Sequence, residues 1–230
     1  MKSFLFTFSS TADDRRARLL RESCRLQGVQ LDWIPCQHTS EKPRQLVQRL
    51  SQIPSDSLVC CVDGFDVLCG GPLDDLVERW GSFDRRIVFG AEKCCFHHFE
   101  SVERHFEETS DGPCRFLNGG MFLGASDDLR EMMETLLRWD QTQLREQFLS
   151  HRRAGHNFND QTLFGYFAAQ HPDRVALDTN SDLFWNVWGD YDRLATLFSF
   201  EDGRLRNNGT GTYPRFIHLS QIDRYYRVYV

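Results

Sequence analysis

Two carboxylates stand three positions apart in Val62-Asp63-Gly64-Phe65-Asp66-Val67, directly after the apolar run Leu58-Val59-Cys60-Cys61-Val62. An Asp-x-x-Asp pair at the end of a strand can converge on one cation. A hard divalent ion takes oxygen ligands and keeps open positions for the phosphates of a substrate. It would supply positive charge that the chain at large lacks. The net charge is -6, which gives no general basic field and argues against nucleic acid as a partner. Taken alone, the same pattern is better described as a turn around Gly64, because Asp and Gly are ordinary turn formers. Its meaning depends on the elements that position it.

The run Leu58 to Val62 has strand length and unbroken apolar character, as expected of a central strand buried on both faces. Around it strand-like and helix-like segments alternate, which predicts an α/β domain with a mostly parallel central sheet flanked by helices. Phe4 to Phe8 reads as the first strand, and Ser9-Ser10-Thr11 offers caps to a helix over Arg16 to Gln27 that Gly28 ends. Leu31 to Ile34 reads as a strand, Ser40 to Ile53 and Leu73 to Trp80 as helices, and Ile87 to Ala91 as a strand ending in Glu92. Asn118-Gly119-Gly120 stands just before an expected strand over Met121 to Ala125; the glycines serve either a close backbone approach or a plain turn. Asp127 to Gln147 reads as one long amphipathic helix, and another follows Asn159-Asp160-Gln161. Short strands are expected near Val175-Ala176-Leu177 and Arg215-Phe216-Ile217. With no internal repeat or linker, residues 1–230 read as a single domain. Ligands of open α/β sheets bind beyond the carboxyl ends of the strands, where Asp63, Asp66, Glu92 and the Asn118 segment fall.

A content of 40% hydrophobic and 26% charged residues is ordinary for a globular domain. No stretch approaches the length of a membrane span. Phe4 to Phe8 is too short for a signal peptide and runs into Asp13-Asp14-Arg15-Arg16. The eight cysteines include no C-x-x-C pair, which sets aside zinc-ribbon and thioredoxin-like readings. Reduced thiols in a cytoplasmic protein are expected, and the sequon Asn208-Gly209-Thr210 is then taken as chance. His97, His98, His151 and His156 share no clear face and read as surface residues.

The motif has companions along the chain: Phe89-Gly90-Ala91-Glu92, Arg115-Phe116-Leu117-Asn118-Gly119-Gly120-Met121-Phe122-Leu123-Gly124, Asn159-Asp160-Gln161-Thr162-Leu163-Phe164, Leu177-Asp178 with Leu183-Phe184-Trp185-Asn186, and Pro214-Arg215-Phe216-Ile217-His218. Collinear over most of the chain, these segments resemble the glycosyltransferase domain of the collagen lysyl hydroxylase family and related viral and bacterial glycosyltransferases. The resemblance implies a GT-A-like fold, Mn²⁺ (or Mg²⁺) dependence and a UDP-sugar donor carrying glucose or galactose. It assigns Asp63, Asp66 and His218 to the metal. It places Phe65 along the nucleotide, Thr7 and Ser9 near the nucleoside, and Lys42 beside the donor. Asn118, Gly119 and Gly120 would approach the sugar, with Glu92 and Gln161 as weaker candidates for sugar contacts.

Asp160 is then the candidate catalytic residue, orienting or deprotonating the acceptor hydroxyl or steadying developing positive charge; the bland alternative is a helix cap with Asn159. Trp185, Trp188 and Phe184 read as core rather than as a sugar platform. Two departures from the family stand out. Cys95-Phe96-His97 occupies the place of a tryptophan, and Leu219-Ser220-Gln221 replaces a glycine-rich stretch after the late histidine. The acceptor, whether glycan, lipid or protein, cannot be read. The competing reading is a non-catalytic nucleotide-sugar-binding or scaffold domain; a two-metal phosphohydrolase would need a second acidic cluster, which the sequence lacks.

Overall fold

The computed structural model describes residues 1–9, 17–96, 99–151, 157–187 and 193–220. Ser10, Thr11, the 13–16 charge run, His97, His98, His156, Trp188 and Gln221 lie outside the described residues, as does the side chain of His151. In chain order the elements are β1 (Ser3–Ser9), α1 (Arg18–Leu26), β2 (Asp32–Pro35), α2 (Lys42–Leu50), β3 (Leu58–Asp63), β4 (Val67–Cys69), α3 (Leu76–Gly81), β5 (Ile87–Glu92), α4 (Glu100–Thr109) and β6 (Phe116–Ala125). They continue with α5 (Ser126–Arg138), α6 (Gln141–His151), α7 (Asp160–Gln170), β7 (Val175–Asp178), β8 (Phe184–Asn186), α8 (Leu194–Leu197), β9 (Phe198–Glu201), β10 (Arg204–Asn207) and β11 (Phe216–His218). A nine-stranded sheet runs β2-β1-β3-β6-β5-β8-β11-β4, with β7 also paired to β5, and β9 and β10 form a separate hairpin.

The sheet is mostly parallel, but β6 runs antiparallel to β3 and β5, and β4 antiparallel to β11. Period-two alternation sends β1 and β3 side chains into two apolar layers. Phe6, Phe8, Val59 and Cys61 face the layer built with Leu46 and Leu50 of α2, Met132 and Met133 of α5, and Phe164 of α7. Leu5, Leu58, Cys60 and Val62 face the opposite layer with Leu20 and Cys24 of α1 and Leu76 of α3. Burial on both faces is what the unbroken apolar run of β3 requires. Among the described residues no helix is long and apolar enough to cross a membrane.

Three local expectations are corrected. Asn118, Gly119 and Gly120 lie within β6 rather than before it. The β5–β6 register passes from Phe89↔Phe122 to Gly90↔Asn118, so β6 bulges where it meets the strand ends. The long helix expected from Asp127 is two helices. Trp139 is extended (φ -68, ψ 144), and Asp140 Oδ1 accepts from the N–H groups of Thr142 and Gln143 (both 3.1 Å) to start α6. The helix placed over Leu73 to Trp80 begins only at Leu76. Gly28 does end α1, at φ 66, the left-handed conformation glycine adopts without penalty.

One buried ion pair fixes the entry into β11, the strand that ends in His218. Arg215 is 1% exposed; its Nε donates to Asp75 Oδ1 at 2.9 Å and its Nη2 to Oδ2 of the same carboxylate. Arg79 Nε reaches Asp75 Oδ2 at 2.7 Å. Burial alone would raise the Asp75 pKa, but Arg215 and Arg79 outweigh it and hold the carboxyl near 2, below the 3.8 of the unfolded chain. A depressed acid contributes stability above its unfolded pKa and loses it as pH falls through the folded value. The window here is about pH 4 down to about pH 2. Arg215→Met should therefore lower the unfolding free energy measured by urea at pH 7, by less than the about 3–5 kcal/mol typical of a broken fully buried pair, because Asp75 is partly open to water and keeps Arg79. The deficit should shrink as the melts are repeated below pH 4.

Candidate metal and donor site

Asp63 is the last residue of β3, and the turn through Asp66 leads into β4. This turn packs directly on β1. A Cβ on Gly64 would lie 2.8 Å from the Phe8 carbonyl oxygen and 3.2 Å from Thr7 Oγ1, so the close approach requires glycine. The ladder between β4 and β11 sets His218 opposite Val67, and the Leu219 N–H donates to the Asp66 carbonyl at 2.7 Å. Residues about 150 positions apart in the chain are thereby held by backbone hydrogen bonds. His218 Nε2 comes to 3.2 Å from Asp66 Oδ2. One ligand atom each from Asp63, Asp66 and His218 lies within 4.8 Å of the others.

Opposite charges balance the cluster. Burial lowers the His218 pKa, but Asp66 and Asp63 override it and hold the imidazole above its usual range. Burial raises the Asp66 pKa, and His218 overrides it and draws the carboxyl below its usual range. Asp63 is pushed up, chiefly by burial, against the pull of Lys42. Each group thus favours the charged form of the other across the 3.2 Å between them.

Lys42 opens α2 and is 7% exposed. Its ammonium lies 2.8 Å from Asp63 Oδ1 and 2.7 Å from Asp160 Oδ2, and 5.5 Å from the centre of the Phe8 ring. Despite burial, the two acids raise its pKa and keep it charged. Asp160 is free to make this pair because Asn159 caps α7. Asn159 Oδ1 accepts the Thr162 N–H at 3.2 Å and the Thr162 hydroxyl receives the Asn159 N–H at 3.3 Å, a capping box.

A buried amide network lies behind the ligands. Glu92 accepts from Asn118 Nδ2 (3.1 Å) and from Gln161 Nε2 (2.8 Å), while burial pushes its pKa up to about 7. Gln161 Oε1 receives the Gly119 N–H at 2.9 Å, and Asn118 Oδ1 receives the Gly120 N–H at 2.9 Å. Asn118 Oδ1 and Asn186 Oδ1 each lie 3.0 Å from His218 Nδ1. A side chain at Gly120 would not fit, since its Cβ would fall 2.5 Å from His218 Cε1.

Thus Asp63, Asp66, His218, Lys42 and Asp160 meet at one place, with Glu92, Asn118, Gly119, Gly120 and Gln161 packed behind. Thr7 is buried with its hydroxyl donated to the Val62 carbonyl at 2.9 Å, Ser9 is buried at the end of β1, and Phe65 is half-buried in the motif turn. Phe184 and Trp185 are core residues. Asn186 and Arg215 were not singled out from the sequence. A buried asparagine inside the apolar stretch Leu183-Phe184-Trp185-Asn186-Val187 was the signal available for the first.

A profile of the PLOD GT domain matches residues 28–225. An uncharacterized protein of Acanthamoeba polyphaga mimivirus is 25% identical over 180 residues, covering 77% of this chain and 34% of that protein. The multifunctional procollagen lysine hydroxylase and glycosyltransferase LH3 of Homo sapiens is 25% identical over 163 residues, covering 71% of this chain and 20% of LH3. This chain thus spans about a third of the viral relative and about a fifth of the human one. The apo structure of mouse xyloside xylosyltransferase 1 superposes with a TM-score of 0.57 at 13% identity, covering 96% of this chain and 99% of that one. A glycosyltransferase involved in glycosylation of the major capsid of PBCV-1 superposes with a TM-score of 0.56 at 13% identity, covering 99% and 97%. At such identities these structures speak for the fold, which is GT-A-like. The profile covers most of the chain, and the chain belongs to the PLOD GT domain family of glycosyltransferase domains.

Proposed function

We propose that this domain transfers a hexose, glucose or galactose, from a UDP-sugar to an acceptor hydroxyl, using a divalent cation held by Asp63, Asp66 and His218. The observation that carries the reading is the convergence of these three ligand atoms within 4.8 Å at the carboxyl end of β3, in a chain of this family. The donor set fits the group: two carboxylates and one imidazole suit Mn²⁺ or Mg²⁺ with positions left for phosphate oxygens. When bound, the cation neutralises the diphosphate and stabilises charge building on the departing UDP.

The chain's own residues prepare that chemistry. Lys42 engages Asp63 Oδ1, which leaves Oδ2 as the oxygen to turn toward the metal. The same ammonium holds Asp160 in place, where its carboxylate can orient the acceptor hydroxyl or steady positive charge on the sugar. In this reading Lys42 stands beside the donor and, with both acids on it, also holds the two carboxylates in place. The Asn118–Glu92–Gln161 network closes the back of the site and keeps the bulge of β6 in position under the sugar. In this reading Phe65, at the motif turn, lies along the uracil, with Thr7 and Ser9 near the nucleoside.

Incubation with a panel of UDP-sugars should release UDP in the presence of Mn²⁺ and not with chelator, with preference for one hexose donor. Binding without turnover, with candidate glycan, lipid and protein acceptors present, would favour the non-catalytic scaffold. Asp66→Ala should abolish Mn²⁺-dependent release while leaving the melting temperature of the metal-free protein within a few degrees of wild type; full activity in this variant would remove the metal assignment. Because metal must displace the proton on His218, whose pKa is raised, Mn²⁺ affinity should climb with pH. The expected rise is about tenfold per pH unit until His218 is neutral, read by electron paramagnetic resonance titration between pH 6 and pH 9.

A further inference from the structure

Two asparagine side chains, Asn118 from β6 and Asn186 from β8, aim their carbonyl oxygens at the same ring nitrogen, Nδ1 of His218. Neither amide is free to rotate. Asn186 Nδ2 donates to the Ala91 carbonyl at 2.9 Å, which turns its Oδ1 toward the histidine. Asn118 is pinned at both ends, since Nδ2 donates to Glu92 and Oδ1 already receives the Gly120 N–H. Gly90 makes room for this arrangement, because a Cβ there would lie 2.8 Å from Asn186 Nδ2. An amide oxygen is only an acceptor. Two of them converging on one nitrogen, with His218 5% exposed and Asn186 5% exposed, demand a hydrogen on Nδ1.

We propose that Asn186, together with Asn118, is a positioning residue that keeps a hydrogen on His218 Nδ1 and turns Nε2 toward Asp66 and the metal position, so that Nε2 is the nitrogen left for a cation. The geometry stands without the metal; the consequence for affinity rests on the metal reading above. A ligating histidine whose second nitrogen donates to an oxygen has its tautomer and ring plane fixed, and such outer partners typically tune affinity 10–100-fold. Here the usual carboxylate or backbone carbonyl is replaced by a pair of side-chain amides from two different strands, one of which is tied through Glu92 to Gln161 at the start of α7. The histidine is thereby coupled to the same helix end that carries Asp160.

The tautomer is read directly from long-range ¹H–¹⁵N correlation spectra of metal-free protein labelled with ¹⁵N-histidine, with His218 identified by its loss in His218→Gln. A proton on Nδ1 is expected whether or not Nε2 also carries one toward Asp66; a ring with Nδ1 bare overturns the proposal. Mn²⁺ titrations of two variants then read the consequence, with thermal melts confirming that each is folded. Asn186→Leu should weaken Mn²⁺ binding about 10–100-fold, whereas Asn186→Asp, which keeps an acceptor toward Nδ1 and gives up the donor to Ala91, should stay close to wild type. Equal losses in both variants would mean that Asn186 only braces β5, and would overturn the positioning role. If wild-type protein binds no Mn²⁺ at all, the metal reading falls and the spectrum alone decides the tautomer.

Discussion

The buried ammonium of Lys42 between Asp63 and Asp160 is the interaction on which the arrangement of this site depends. Asp160 and Glu92 are buried, with Asp63 and Asp66 half-buried nearby, and like charges so placed would repel or take up protons. Lys42 compensates two of them from the α2 side, and His218 faces Asp66 at 3.2 Å from the β11 side. Such pairs contribute little net stability once desolvation is counted. What they supply is geometry: each fixes a carboxylate in one orientation. One ligand atom each of Asp63, Asp66 and His218 is left within 4.8 Å of the others, the place proposed above for a cation and its diphosphate in a protein with a net charge of -6.

The sheet topology delivers these groups from distant parts of the chain. A wholly parallel sheet would bring only strand ends and the loops beyond them to the site. The antiparallel β6 instead threads its own middle through it, so that Asn118 and Gly120 lie beside His218 as members of a strand. At the other edge, the antiparallel contact between β4 and β11 ties the turn of the metal motif to the late histidine through backbone hydrogen bonds. The pair Arg215–Asp75 then anchors the start of β11, so His218 sits on a strand braced at both ends.

Much of this was legible in the sequence where burial writes itself as pattern. The apolar run of β3, the alternation of elements and the motif after Val62 all follow from one- and two-face burial. The break between α5 and α6 was hidden because no proline or glycine marks it, and only the side chain of Asp140 starts a new helix. Gly119 and Gly120 left a close approach and a turn both open; they lie in a strand and are glycines because Gln161 and His218 occupy the space their side chains would need. His218 carries no local signature, since Phe216-Ile217-His218 is indistinguishable from a core strand, and only likeness to a family pointed to it. Lys42 was expected beside the donor; its pairing with Asp160, over 100 positions away, is one that no local pattern encodes.

The central claim, that Asp63, Asp66 and His218 hold one divalent ion, is tested most directly by crystals grown with Mn²⁺ and UDP and measured at the manganese absorption edge. The structure predicts a single anomalous peak within coordination distance of both carboxylates and of Nε2 of His218, with Lys42 still bridging Asp63 and Asp160 and the UDP phosphates completing the shell. A peak elsewhere, or UDP bound with no anomalous signal between these three side chains, would contradict it.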